Sequence, residues 1–117
     1  MTARHTIESY FGAFAAGDDW ERYLAPDLVF ATRTADPRQT AGRDAYVAST
    51  AGFRSMVRGV EVVHLVVEGD QGAVLSRYAL TSPDGRAFSS DVAEFLTVAG
   101  DLITKLTICF DTAPYPR

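Results

Sequence analysis

The chain has 117 residues, 47% of them hydrophobic and 22% charged, a globular balance that fits one domain with a real core and leaves no room for a second. Lys and Arg total 11 against 15 Asp and Glu, a net charge of −4, and the basic residues are scattered singly from Arg4 to Arg117, which argues against a nucleic-acid partner. The polar opening Met1 to His5 lacks a signal pattern, no apolar run nears the roughly 18 residues that span a bilayer, and Cys109 as sole cysteine excludes an internal disulfide or a multi-cysteine metal site. A cytoplasmic protein without membrane contact is expected.

Ile7, Tyr10, Phe11 and Phe14 recur at i, i+3, i+4 and i+7, one stripe of an amphipathic helix from about Thr6 to Ala16 that Gly17 stops. Asp18 with Glu21 has capping-box spacing and predicts a second short helix through Trp20, Tyr23 and Leu24, ended before Pro26. Asp27 to Thr34 alternates, with Leu28, Phe30, Thr32 and Thr34 on one side, and reads as a strand. The stretch from Ala35 to Thr40, with Pro37 inside it, reads as loop. Tyr46, Val47, Phe53 and Met56 predict a third helix from Gly42 to about Met56, weakened at Gly52, since glycine in a helix costs about 1 kcal/mol relative to alanine.

Four β-branched and aromatic runs follow, Val60 to Val67, Ala73 to Thr81, Arg86 to Val98 and Leu102 to Phe110, separated by short turn sequences of the kind that join antiparallel neighbours. Helix, helix, strand, helix and a four-stranded meander define an α+β fold over residues 1–117, with about three helices on one face of a curved antiparallel sheet. Strand parity then assigns faces. Val63, Leu65 and Val67 point inward and His64 outward; Val74, Ser76, Tyr78 and Leu80 point inward and Arg77 outward; Leu106, Ile108 and Phe110 point inward. In the third run the inward set is Val92, Glu94, Leu96 and Val98. A carboxylate on that face is costly unless it has a partner or a job, which makes Glu94 the best single lead on function.

The opening helix ending in Ala16-Gly17-Asp18, the step from Tyr23 to Phe30, the Ala41-Gly42-Arg43-Asp44-Ala45 helix start and the final run from Ile103 to Asp111 resemble the nuclear transport factor 2-like superfamily, which includes ketosteroid isomerases and SnoaL-like polyketide cyclases. The resemblance spans nearly the whole chain and implies a cone, cystatin-like in its α+β build, whose pocket lies between the concave sheet face and the first helices. It specifies a fold and not a reaction, since proteins of this kind range from isomerases and cyclases to chains without activity. By spacing, Tyr10 and Glu94 match the tyrosine and the protonated acid that stabilise an enolate oxygen in ketosteroid isomerases. The position of the proton-shuttling base falls on Thr32, which cannot take an α-proton at neutral pH. Asp36, followed by Pro37, is the candidate to replace it.

A carboxyl desolvated beside Val92 and Leu96 should have a raised pKa, and a neutral acid beside the Tyr10 phenol would give two donors for one substrate oxygen. Phe14, Trp20, Phe30, Thr32, Phe53, Tyr78, Val92, Leu96 and Phe110 are the expected pocket lining, although the aromatic members would serve equally as core. Glu94 could instead be a structural polar partner of Tyr10 or Trp20. His5 and His64 have no ligand spacing around them, so neither a metal nor another cofactor is expected, and no nucleophilic triad, phosphate loop or dinucleotide fingerprint occurs. Val92, two residues before Glu94, stands where an epoxide hydrolase of this superfamily needs arginine. Two function classes remain open: a cofactor-independent isomerase, cyclase or dehydratase acting on a small apolar carbonyl compound, and a non-catalytic ligand-binding or association module. The weakly charged outer face, with Ala93, Phe95, Thr97, Thr107 and Cys109, points to homodimerisation sheet to sheet.

Overall fold

The structure, a computed structural model, describes residues 2–116. Helix α1 (Ala3–Ala16) starts where the Thr2 hydroxyl accepts the His5 amide at 3.1 Å. It ends at Gly17, whose φ of 69° is the left-handed conformation that lets the following amides satisfy the last carbonyls. The stripe buries Ile7, Tyr10 and Phe11. The expected second helix is only a 3-10 turn, Glu21–Tyr23, with no side-chain cap. Asp18 accepts the adjacent Asp19 amide instead, so the capping box never closes, and strand β1 (Leu24–Thr32) begins at once.

After β1 the chain reverses into β2 (Arg38–Ala41), antiparallel to it with Thr32 opposite Arg38, where the sequence reads as loop. This edge strand is short and largely exposed, so it carries no apolar alternation that would reveal it. The expected third helix is two, α2 (Arg43–Ser49) and α3 (Ala51–Met56), broken at Thr50. There the Thr50 amide and the Ser49 and Thr50 hydroxyls all donate to the Tyr46 carbonyl, at 3.1, 3.0 and 2.9 Å, and such side-chain bonds compete with the helical ladder.

Strands β3 (Val57–Glu68), β4 (Gln71–Thr81), β5 (Ala87–Ala99) and β6 (Leu102–Phe110) form the antiparallel meander. The six-stranded order is β2-β1-β6-β5-β4-β3. Because β1 joins β6 in parallel, the sheet is mixed, while the α+β layout is the expected one. Two of its register shifts tune its inner face. One between Val62 and His64 places Val62 opposite Ser76 and Leu65 opposite Val74, so Val63 is 44% exposed rather than inward, and His64 stays outside. The other leaves Thr104 unpaired between Thr97 and Val98 of β5, which allows Ile103 and Leu106, three residues apart, both to be fully buried.

The core has two parts. Ile7, Leu24, Leu28, Leu96, Ile103 and Leu106 pack at the α1 end, and α1 approaches the sheet so closely at Gly72 that a Cβ there would sit 2.5 Å from Ile7 Cδ1. At the other end Tyr78, Leu80 and Val92 are fringed by Phe53, Phe88, Phe110 and Tyr115. A cavity of about 300 Å³ is walled by members of both clusters. Among the described residues no helix is long and apolar enough to cross a membrane.

Candidate functional site

Alternation along β5 buries Val92, Glu94, Leu96 and Val98, while Phe95 on the opposite face is 52% exposed. Glu94 lies mid-sheet between Val74 of β4 and Ile108 of β6, is 2% exposed, and is the one acidic residue among those described that line the cavity. Tyr78 Oη donates to its Oε2 at 3.2 Å. Burial pushes the carboxyl up to about 7, against the opposing pull of the Tyr78 hydrogen bond. Desolvation wins because no lysine or arginine among the described residues forms an ion pair with it. A buried carboxylate without a cation is disfavoured, and the neutral acid is favoured in its place.

Two further phenols close the ring around it. Tyr10 on α1 is raised well above an ordinary phenol by burial first, then by Tyr46, Glu94 and Tyr78. Tyr46 on α2 is raised by burial and by Glu94, with the Tyr10 hydrogen bond and the Arg54 charge pulling the other way. Burial and Glu94 likewise raise Tyr78. All three therefore remain neutral O–H donors at any ordinary pH. One carboxyl and three phenols meet in a cavity whose other walls include Phe14, Phe30, Phe53, Val92, Ile108 and Phe110. Such a site can hold an apolar ligand and offer several hydrogen bonds to one polar atom of it.

Of the residues expected from sequence, the structure brings Tyr10, Phe14, Phe30, Thr32, Phe53, Tyr78, Val92, Glu94 and Phe110 to the cavity. Three lie elsewhere. Asp36 sits in the β1–β2 turn with its side chain 74% exposed, paired with Arg38 at 2.8 Å. Trp20, beside the 3-10 turn, packs against Tyr10 and Phe14 from behind and faces a smaller hollow. Leu96 lies one inward position beyond Glu94, opposite Gly72 and Leu106, and is filled in under Ile7. Thr32 reaches the cavity, but its hydroxyl accepts the Arg38 amide at 3.0 Å and closes the hairpin. Tyr46 and Arg54 were not foreseen as site residues. Tyr46 looked like one more apolar position of a helix, and its only sequence signal is that a buried phenol needs a polar partner.

A sheet wrapped around α1, enclosing a cavity with a buried acid, defines a cone-shaped small-molecule-binding domain. The chain belongs to the SnoaL-like domain family, whose sequence profile matches residues 7–106. No curated protein matches it significantly. Among solved structures it is similar to a protein from Kribbella flavida, at 25% identity over 94% of this chain and 87% of that one, with a TM-score of 0.78. A putative SnoaL-like polyketide cyclase from Jannaschia is 16% identical over 92% of this chain and 84% of that one, TM-score 0.79. A nuclear transport factor 2-like protein from Burkholderia pseudomallei is 17% identical over 96% and 92%, TM-score 0.79. The family match over residues 7–106, together with these likenesses in fold, places the chain in the nuclear transport factor 2-like superfamily.

Proposed function

We propose that the chain is a cofactor-independent isomerase, cyclase or dehydratase acting on an apolar carbonyl compound, with Glu94 and Tyr10 at the reacting oxygen. The observation that carries this reading is a buried carboxyl, hydrogen-bonded by Tyr78 at 3.2 Å, in an aromatic cavity that Tyr10 and Tyr46 also line, where burial raises its pKa to about 7. A group with that pKa is divided between acid and base near neutrality, where proton transfer in either direction is most effective. The neutral Glu94 and the Tyr10 phenol donate to the carbonyl oxygen as negative charge develops on it. With Asp36 outside on the surface and Glu94 engaged as a donor, a basic group of the substrate itself accepts the proton. Thermal-shift screening of small aromatic ketones, followed by turnover of those that bind, tests this with Glu94→Gln, Glu94→Ala and Tyr10→Phe. Glu94→Ala should abolish turnover and Glu94→Gln should keep binding, and identical binding and turnover in all variants would sink the reading.

A second reading, a non-catalytic or dimeric association module, is favoured by the outer sheet face, where Val66, Leu75 and Phe95 are 65%, 37% and 52% exposed. Paired sheets of two copies would cover them. An open cavity that binds no small ligand, in a chain that is dimeric in solution, would make this the better account.

A further inference from the structure

Arg54 differs from Arg38, the other arginine that lines the cavity around Glu94. Arg38 faces Asp36 and Arg43 faces Asp44, whereas among the described residues no carboxylate pairs with Arg54. It is half-buried on α3 and is held by neutral groups alone. Nη2 donates to the Val47 carbonyl at 2.6 Å, Nη1 donates to Thr50 Oγ1, and the guanidinium lies 4.9 Å from the centroid of the Trp20 ring. Those contacts fix its plane and use two of the five N–H donors that an arginine carries. A hollow of about 240 Å³, which Phe14 and Arg54 share with the Glu94 cavity, is bordered by no acidic residue among those described; Arg58, which also borders it, is exposed and donates only to the Ser55 and Val57 carbonyls. The cavity around Glu94 contributes that one acid, which hydrogen-bonds to Tyr78 and not to a cation.

A partly desolvated, pre-oriented cation without an anion costs free energy that a ligand can recover. Resting on the reading of Glu94 given above, we propose that the substrate is an aromatic or polycyclic ketone that also bears a carboxylate, with Arg54 as the residue that binds the carboxylate. The ketone end enters among Glu94 and the phenols. The acid end meets the guanidinium at the edge between the two hollows, where the planar fork suits both carboxylate oxygens. Arg38 is the weaker candidate for this role because its own carboxylate partner already occupies it through two N–H groups, Nε and Nη2.

Calorimetric titration of the purified chain with 6-acetyl-2-naphthoate and with 2-acetylnaphthalene, which lacks only the acid, tests the assignment. The carboxylate should bind at least about tenfold more tightly than the neutral ketone in the wild type, a gap that narrows with added salt. In Arg54→Gln the gap should close, chiefly by loss of the acid, with the neutral ketone little changed. In Arg54→Lys, which keeps the charge without the fork, it should be intermediate. Equal affinities in the wild type, a gap that survives Arg54→Gln, or binding of neither probe would overturn it. Should Arg54→Gln fail to fold, an undiminished gap in Arg54→Lys counts against it as well. Glu94→Ala separates the two proposals: it should weaken both probes alike, and unchanged affinities there would defeat the role of Glu94 while leaving that of Arg54 standing.

Discussion

Tyr78 reaches Glu94 diagonally across two strands. Tyr78 pairs with Ser90 and Glu94 with Val74, so one inward row, Ser76 opposite Val92, lies between them. The small Ser76 side chain leaves space for the phenol to lean along the sheet and bring its Oη within 3.2 Å of Oε2. This bond favours the ionised carboxyl and partly offsets desolvation. Tyr78→Phe should therefore move the Glu94 midpoint upward from about 7 and cost about 1 kcal/mol of stability above neutrality, the value of one hydrogen bond. Carbon-13 NMR titration of the side-chain carboxyl reads the first effect, and a midpoint that stays put or falls would deny the phenol its role.

Glu94 makes stability depend on pH in a direction opposite to that of most carboxyls. Its ordinary pKa of 4.5 is raised to about 7 in the folded chain, so between those values the native state holds a proton that the unfolded state has released. The contribution is complete below about 4.5 and is lost as pH rises through about 7. Glu94→Gln, neutral throughout, should be more stable than the wild type at about pH 8 by at most on the order of 3 kcal/mol. The advantage should vanish in acid. Urea unfolding of both proteins across this range measures it, and parallel pH profiles would contradict it.

The inward parity of Glu94 was legible because β5 is long, regular and buried on one face only. Its neighbours were less so. Sequence spacing pointed to Tyr10 as its companion, whereas the hydrogen bond comes from Tyr78, and no periodicity shows which of several inward phenols leans toward a carboxyl. The exposure of Val63 is illegible because a bulge reverses parity without leaving a mark in composition, and β2 is illegible because a four-residue, largely exposed edge strand carries no apolar alternation. Arg54 was invisible as a site residue since its position depends on a helix break at Thr50. That break follows from hydroxyls competing for one carbonyl, and the Gly52 signal lies two residues away.

Gly72 is fixed by space and not by backbone conformation. It lies opposite Leu96 in the sheet, and an added methyl would meet Ile7 Cδ1 at 2.5 Å in a part of the core with no exposure. Gly72→Ala should cost about 1–3 kcal/mol, as overpacking does. Combining it with Ile7→Val, which removes the offending carbon, should cost less than the sum of the single changes. Chemical denaturation of the four proteins gives the coupling, and strict additivity would mean that α1 moves away freely.

Asp36 provides a negative control for the site. Its carboxylate is solvent-exposed and does not line the cavity, although its partner Arg38 does, and an exposed ion pair of this kind contributes little. Asp36→Asn should change turnover of any accepted ketone by less than about twofold, the scale of a surface substitution away from the chemistry. A loss of a hundredfold or more would mean that the β1–β2 turn folds inward during the reaction and that Asp36 is the missing base.

The outer face makes its own prediction. Val66, Ala73, Phe95 and Thr107 align in one row across four strands, and His64, Leu75, Ala93 and Cys109 in the next. The nearest charges on β4 and β5, Arg77 and Asp91, neutralise each other at 3.0 Å. A two-fold contact between such faces buries the same apolar patch, Phe95 included, on both copies. Phe95→Asp would place an unpaired carboxylate from each copy in a desolvated interface, while Glu94, pointing to the opposite face, keeps its surroundings. Analytical ultracentrifugation should find a dimer for the wild type and a monomer for Phe95→Asp, with ligand binding in the cavity retained. A wild-type chain that sediments as a monomer at about 100 μM, well above the dissociation constants usual for stable dimers, would leave this face without a partner of its own kind.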